Sequence, residues 1–360
     1  MLDLSLAPQP DYPTFERMLR GLEPPARVHF CELRMDEELV RLGTERFFEE
    51  RWTPLAEEPA EYHRQFVRFA ARLGYDCYCQ WGFPWVGLPA LLERVGADTA
   101  ALGSGKRAWV EESRGLIASR ADLAAFLWED IRFDLAPLAA MEPSVPPGMR
   151  LAVSTHFFAF VFQKLLGVEQ TFLLSHDDPG LVREVLDRWG EKVLSYYEAC
   201  LDRPSVAAIF HSDDLGHKTG LMMAPAFLCE AVFPWLARFA EAAHRRGKQF
   251  WLHSCGNTLE VMEDLIGDVK IDAYHSFQDV IIPVAEFSRR YADRIGVIGG
   301  VDMDALGRMP EPQFRGYVRG ILDECMPRGR YALGAGNSLA NYVLPENYVA
   351  MLEEGWRWRG

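Results

Sequence analysis

The chain has 360 residues, 49% of them hydrophobic and 25% charged, a composition that supports a large buried core. Its formal net charge of −14 argues against nucleic acid and against an anionic membrane surface as partners. No apolar run approaches the roughly 20 residues a membrane span needs, and Met1-Leu2-Asp3-Leu4 lacks the basic-then-apolar pattern of a signal peptide. The seven cysteines (Cys31, Cys77, Cys79, Cys200, Cys229, Cys255 and Cys325) are odd in number and scattered, which fits free thiols in a reducing cytoplasm.

Residues 1–27 are rich in proline and polar side chains, with a helical patch over 15–22, and read as an N-terminal extension. A first strand is expected at 27–31, then a helix over 36–50 with Leu39, Leu42 and Phe47 on one face. A second helix, 61–73, stops at Gly74. The second strand, 75–79, runs into the aromatic loop Trp81-Gly82-Phe83-Pro84-Trp85. Residues 87–150 are less regular and read as an insertion. A hairpin is expected there over 101–117, turning near Gly103-Ser104-Gly105, and a helix over 122–128. Ser104-Gly105-Lys106 is not a phosphate-binding loop, because the upstream glycine spacing and a following Ser or Thr are missing.

From Arg150 the pattern becomes regular. A strand at 151–155 precedes an apolar helix ending at Leu166-Gly167; a helix over 179–200 and a strand at 206–210 follow. The next helix, 225–246, should be kinked by Pro234. Strands at 249–253, 271–275, 296–299 and 331–333 then alternate with helices at 258–266, 283–293, 312–325 and 345–356. Eight strands are each followed by helical sequence, and those after 150 are apolar throughout. This predicts parallel strands covered on both faces. The fold class is α/β: a (β/α)8 TIM-type barrel in a single domain over 1–360, with the N-terminal extension and the insertion between strands two and three. A doubly wound open sheet is disfavoured, since no G-x-G-x-x-G turn follows any strand.

In such a barrel the C-terminal strand ends share one face, where chemistry is done. The fourth strand ends His211-Ser212-Asp213-Asp214 and the fifth His253-Ser254-Cys255-Gly256-Asn257. The sixth ends His275-Ser276-Phe277-Gln278, the seventh Gly299-Gly300-Val301-Asp302, and the eighth Gly334-Ala335-Gly336-Asn337-Ser338. His253 and Cys255 flank one residue and can reach a common point, and zinc accepts imidazole nitrogen and thiolate sulfur. Asp214, His275 and His211 are the candidates for a third ligand. A helix beginning after Asn257 should lower the Cys255 pKa.

Each of these residues also has a bland reading. A lone cysteine at a strand end is commonly a small buried apolar residue, and a lone histidine commonly satisfies a backbone carbonyl. Together at a barrel mouth, beside a turn glycine, they read better as ligands. Adjacent carboxylates often only cap the next segment; here Asp214 is the one expected to face the site. Asp214, His211, His275 and Asn337 are the catalytic candidates, and Gln278 and Asp302 the cofactor-binding ones. Cys77, Cys79, Phe157, Phe158, Phe160 and Phe162 read as core.

The stretch 253–257, the segment Asp213-Asp214-Leu215-Gly216, the run Ile298-Gly299-Gly300-Val301-Asp302 and Leu344-Pro345-Glu346-Asn347 together resemble the uroporphyrinogen decarboxylase superfamily over 150–360. The resemblance implies a single (β/α)8 barrel. It also implies one of two chemistries. One branch decarboxylates porphyrinogens without a cofactor; the other transfers methyl groups between methylated corrinoids and thiols at a zinc site. The decarboxylase branch matches poorly. Its arginine-rich N-terminal signature is missing near Phe30–Met35, its aspartate has no counterpart in Gly82-Phe83-Pro84-Trp85, its tyrosine is Gln163 and its histidine is Ala335. For the methyltransferase branch, His253 and Cys255 match the zinc pair, whereas its third ligand, a cysteine, falls at Ala335. The resemblance thus implies zinc as cofactor, a corrinoid as substrate or on a partner protein, a small methyl donor or acceptor, and a homodimer. A cofactor-free decarboxylase or lyase, or a non-catalytic corrinoid- or metabolite-binding barrel, is the alternative.

Overall fold

Eight short apolar segments form the central sheet: β1 (His29–Phe30), β2 (Cys77–Gln80), β3 (Arg150–Val153), β4 (Val206–Asp213), β5 (Gln249–Ser254), β6 (Ala273–His275), β7 (Gly296–Ile298) and β8 (Tyr331–Leu333). The computed structural model describes residues 3–89, 102–103 and 115–359, with the backbone of Glu93–Ala97 and Lys106–Val110. All neighbouring strands pair in parallel, in the order β1-β8-β7-β6-β5-β4-β3-β2. The two ends meet through one backbone hydrogen bond, Asp76 N to Phe30 O at 3.4 Å, so the sheet is a nearly closed (β/α)8 barrel.

Alternate residues of a strand face opposite sides. The inward set is mostly small: Cys31, Cys77, Cys79, Ala152, Ala208, Ala273 and Ala332, with Phe210, Trp251 and Ile298 as the bulky members. That leaves room at one end for a further element, and the N-terminal extension supplies it. The helix Tyr12–Leu19 places Tyr12, Phe15, Met18 and Leu19 in the same cluster, with Phe15 edge-on to Trp251 at 5.7 Å. Asp11 caps this helix and Pro13 stands in its first turn. Hydrogen bonds from Tyr12 N to Gly148 O and from Asp11 N to Asp76 Oδ1, both 2.6 Å, tie it just ahead of β3 and β2. The helix therefore closes the N-terminal end of the barrel, and burial of Phe15 alone contributes roughly 1.5–3 kcal/mol. The opposite end, where the strands exit, stays open.

Outside the barrel, the expected helix over 225–246 is divided. Pro225–Phe227 leads into the π-helical turn Leu228–Val232, and regular helix resumes over Phe233–His244. Pro234 cannot donate a backbone hydrogen bond, which accounts for the break beside it. The helix Val168–Asp177 was not expected from sequence, since its only fully buried residue is Thr171 and it shows little apolar periodicity. The hairpin strands are Glu93–Ala97 and Lys106–Val110, earlier than the expected 101–117; Ser104 and Gly105 lie outside the described residues. Among the described residues, no helix is long and apolar enough to cross a membrane. The seven cysteines are all free.

Candidate metal centre

The alternation along β5 turns Gln249, Trp251 and His253 inward. Two residues on, Cys255 leaves the strand on the same side. The turn that follows is built to touch its neighbour. Gly256 has φ +83°, and a Cβ there would lie 2.1 Å from the carbonyl carbon of Gly216. Four hydrogen bonds join the two loops: Cys255 N to Asp213 O (3.2 Å), Gly216 N to Cys255 O (3.2 Å), Asn257 N to His217 O (2.8 Å) and Leu215 N to Ser254 Oγ (3.0 Å). This stitching carries Asp214, the first residue past β4, over Cys255. Asp214, His253 and Cys255 each offer one ligand atom, and these atoms all lie within 4.8 Å of one another.

The hydrogen-bond pattern assigns the imidazole tautomers. His275 Nε2 stands 3.0 Å from the carbonyl oxygen of Ala335, which can only accept, so Nε2 carries a proton. His275 Nδ1 then holds a lone pair in the neutral ring, and His253 Nδ1–H donates to it at 2.6 Å. His253 Nε2 is left unprotonated, 3.4 Å from Cys255 Sγ. Metal-bound histidines are commonly oriented through their other nitrogen in this way. Both rings are kept neutral. Burial, and then the neighbouring imidazoles, hold His253 well below its ordinary pKa, and burial lowers His275 to about 4 against the pull of the Ala335 carbonyl.

Cys255 departs from expectation. Burial first, and then the negative charge of Asp214, push its thiol well above the usual value, with the Asn337 amide opposing them. Helical structure does follow, over Leu259–Val261, Met262–Asp264 and Leu265–Val269, but burial and the Asp214 carboxylate outweigh the expected lowering. A cation between Asp214 and Cys255 would reverse the balance, since it favours the thiolate. Asn337 Nδ2 stands 3.5 Å from the sulfur, and Gln163 Nε2 donates to Asp214 Oδ2 at 3.1 Å.

The remaining sequence candidates lie elsewhere. His211 does not join the cluster: in register it pairs with Leu252, an outward residue, while Ser212 pairs with His253. Its ring packs on Phe239 and Phe250, with Nδ1 2.7 Å from Tyr197 OH and Nε2 3.0 Å from Asp213 Oδ2. Asp213 accepts from Phe158 N and Ala159 N, fixing the segment after β3. Asp302 caps the helix Met303–Arg308 and accepts from Asp279 N at 2.8 Å, and Gln278 is exposed on the rim. Neither reaches the three ligand atoms.

Two neighbours of the site were missed as candidates. His156, at the exit of β3, bonds Ser212 O through Nδ1 at 2.9 Å. With Phe83, Ala159, Phe160, Gln163, Lys164 and Asp214 it lines a pocket of about 370 Å³. The strand-end rule applied to the third strand finds His156; Gln163 carries no sequence signal beyond standing where a tyrosine was expected. The loop after β8 is anchored from below by Glu32, which is buried at the exit of β1. Its carboxyl accepts from Ala335 N at 3.0 and 3.2 Å and from Tyr75 OH at 3.3 Å. Burial raises its pKa to about 8, against these donors.

No protein-family model matches the chain, and no curated protein matches it in sequence. Among solved structures, a methyltransferase from Methanosarcina mazei superposes with a TM-score of 0.67 at 16% identity, covering 96% of this chain and 98% of that one. A xylanase from Gloeophyllum trabeum reaches 0.40 at 8% identity, over 62% and 80% of the two chains. An amidohydrolase with bound zinc from Burkhoderia ambifaria reaches 0.37 at 11% identity, over 98% and 87%. The first of these shares the whole barrel fold with this chain.

Proposed function

We propose that this chain is a methyltransferase-type enzyme of the uroporphyrinogen decarboxylase superfamily, with a metal site at Asp214, His253 and Cys255. It moves a methyl group between a corrinoid, presented by a partner protein, and a small molecule. The observation that carries this reading is the convergence of carboxylate, imidazole and thiol within 4.8 Å at the barrel mouth. The whole-length fold likeness to a methyltransferase supports it.

The donor set fits zinc. One neutral nitrogen, one sulfur and one oxygen are ligand types zinc accepts, and three protein ligands leave the fourth position that a catalytic site needs. Ala335 offers no ligand where the resemblance calls for a second thiolate. Asp214 takes that role and keeps the charge, since one thiolate and one carboxylate neutralise a dication as two thiolates do. Bound there, zinc would supply a Lewis acid that keeps a coordinated nucleophile anionic near neutral pH. The chain's own groups set the stage for it. His275 presents the lone pair of His253, Gln163 fixes one oxygen of Asp214, and Asn337 donates to the sulfur of Cys255.

Metal analysis of protein purified without chelator tests the site. About one zinc per chain is expected, with less than about a tenth of an equivalent in Cys255→Ala or Asp214→Ala. A wild-type content below that tenth sinks the metal reading. Loss of methyl from a methylated corrinoid, on adding the zinc-loaded protein with a thiol, tests the transfer; retention of the methyl group contradicts it.

A further inference from the structure

The pocket beside Asp214 has walls of unequal character. Phe83, Ala159 and Phe160 form an apolar side, and Phe83 is 51% exposed at its mouth. Gln163 is committed to Asp214 and offers its amide nitrogen to that carboxylate. His156 differs. Its Nδ1 lies 2.9 Å from the Ser212 carbonyl oxygen, which can only accept, so Nδ1 carries the proton and Nε2 keeps a lone pair. Among the described residues, nothing hydrogen-bonds Nε2. The Trp81 ring, edge-on at 5.0 Å, restricts how the imidazole can turn. At about 370 Å³ the pocket suits a small molecule with a single ring or branched alkyl body.

Resting on the reading above, we propose that this pocket holds the small-molecule partner of methyl transfer. The partner is an uncharged compound with an apolar, ring-sized body and a terminal O–H or S–H group that donates to His156 Nε2. The ring lies against Phe83 and Phe160, which sets the donor-bearing end toward Asp214. Affinity comes from apolar burial and selectivity from one hydrogen bond. Lys164 also lines the pocket, so an anionic ring is the competing occupant.

Ligand-observed NMR titration of the metal-free protein with phenol, methoxybenzene, benzoate and glycerol decides the matter. Phenol should bind saturably, methoxybenzene about three- to tenfold more weakly for want of the O–H, and benzoate and glycerol more weakly still. Phe83→Ser should weaken phenol about fivefold or more, and His156→Phe should bring phenol down to the level of methoxybenzene. Because Phe83 is half exposed, its variant keeps the test informative if His156→Phe fails to fold. Absence of saturable phenol binding, benzoate binding more tightly than phenol, or insensitivity of phenol to Phe83→Ser overturns the proposal. Since no metal is present, these outcomes are read separately from any failure of zinc to bind at Asp214, His253 and Cys255.

Discussion

His275 and His211 look alike in sequence, yet they should behave differently when removed. His275→Phe keeps the ring volume and deletes both polar contacts: the acceptor of His253 Nδ1–H at 2.6 Å and the donor to Ala335 O at 3.0 Å. His253 is 2% exposed, so its stranded N–H has no water to turn to. A buried donor left without a partner costs about 1–3 kcal/mol. The imidazole is also freed to turn Nε2 away from Cys255. Loss of such an orienting partner lowers metal affinity about 10- to 100-fold, or about 1.4–2.8 kcal/mol. Competition against a chromophoric chelator measures the zinc affinity, and urea unfolding of the metal-free protein measures the stability. His211→Phe is the control. It breaks the bonds to Tyr197 and Asp213 and should destabilise the fold, yet leave zinc affinity within about twofold. A His275→Phe protein that binds zinc within twofold of wild type, or a His211→Phe protein that loses more, refutes the tautomer relay.

Glu32 should make stability fall with rising pH. Its folded pKa is raised from 4.5 to about 8, so the native state keeps a proton that the unfolded chain loses. The contribution is whole below pH 4.5 and is lost as pH rises through about 8, with an upper bound of about 5 kcal/mol. Thermal melts from pH 5 to 9 should show this decline in wild type and a flatter profile in Glu32→Gln; parallel profiles contradict it. Gly256→Ala should part the two loops, since its Cβ would sit 2.1 Å from the Gly216 backbone at a φ of +83°. A loss of about 1–3 kcal/mol and at least about tenfold weaker zinc binding are expected, checked by the same unfolding and chelator assays. Normal zinc affinity in that variant would show that the loop contact does not set the ligand geometry.

The barrel was legible because apolar strand runs punctuated by Gly, Asp and His recur eight times, and each of the eight barrel strands overlaps an expected one. The convergence of His253 and Cys255 was legible too, since they sit one residue apart at a strand exit, and their ligand atoms lie within 4.8 Å of each other and of that of Asp214. His211 misled because strand ends were read as a block, without their alternation. With Phe210 inward, as its cluster shows, His211 and Asp213 face the helices, and only Asp214, past the strand, turns back to the mouth. The role of the N-terminal extension was hidden for a different reason. Tyr12, Phe15, Met18 and Leu19 mark an amphipathic helix, but not what it covers; that depends on the small inward residues of distant strands. The pairing of His253 with His275 likewise requires the parallel register of β5 and β6, which sets these two residues side by side.

X-ray absorption at the zinc edge of the loaded protein tests the ligand assignment most directly. A set of Asp214, His253 and Cys255 predicts one sulfur at about 2.3 Å with the remaining nitrogen and oxygen ligands at about 2.0–2.2 Å, and loss of the sulfur shell in Cys255→Ala. Two or more sulfur ligands, or a spectrum unchanged by Cys255→Ala, would contradict it.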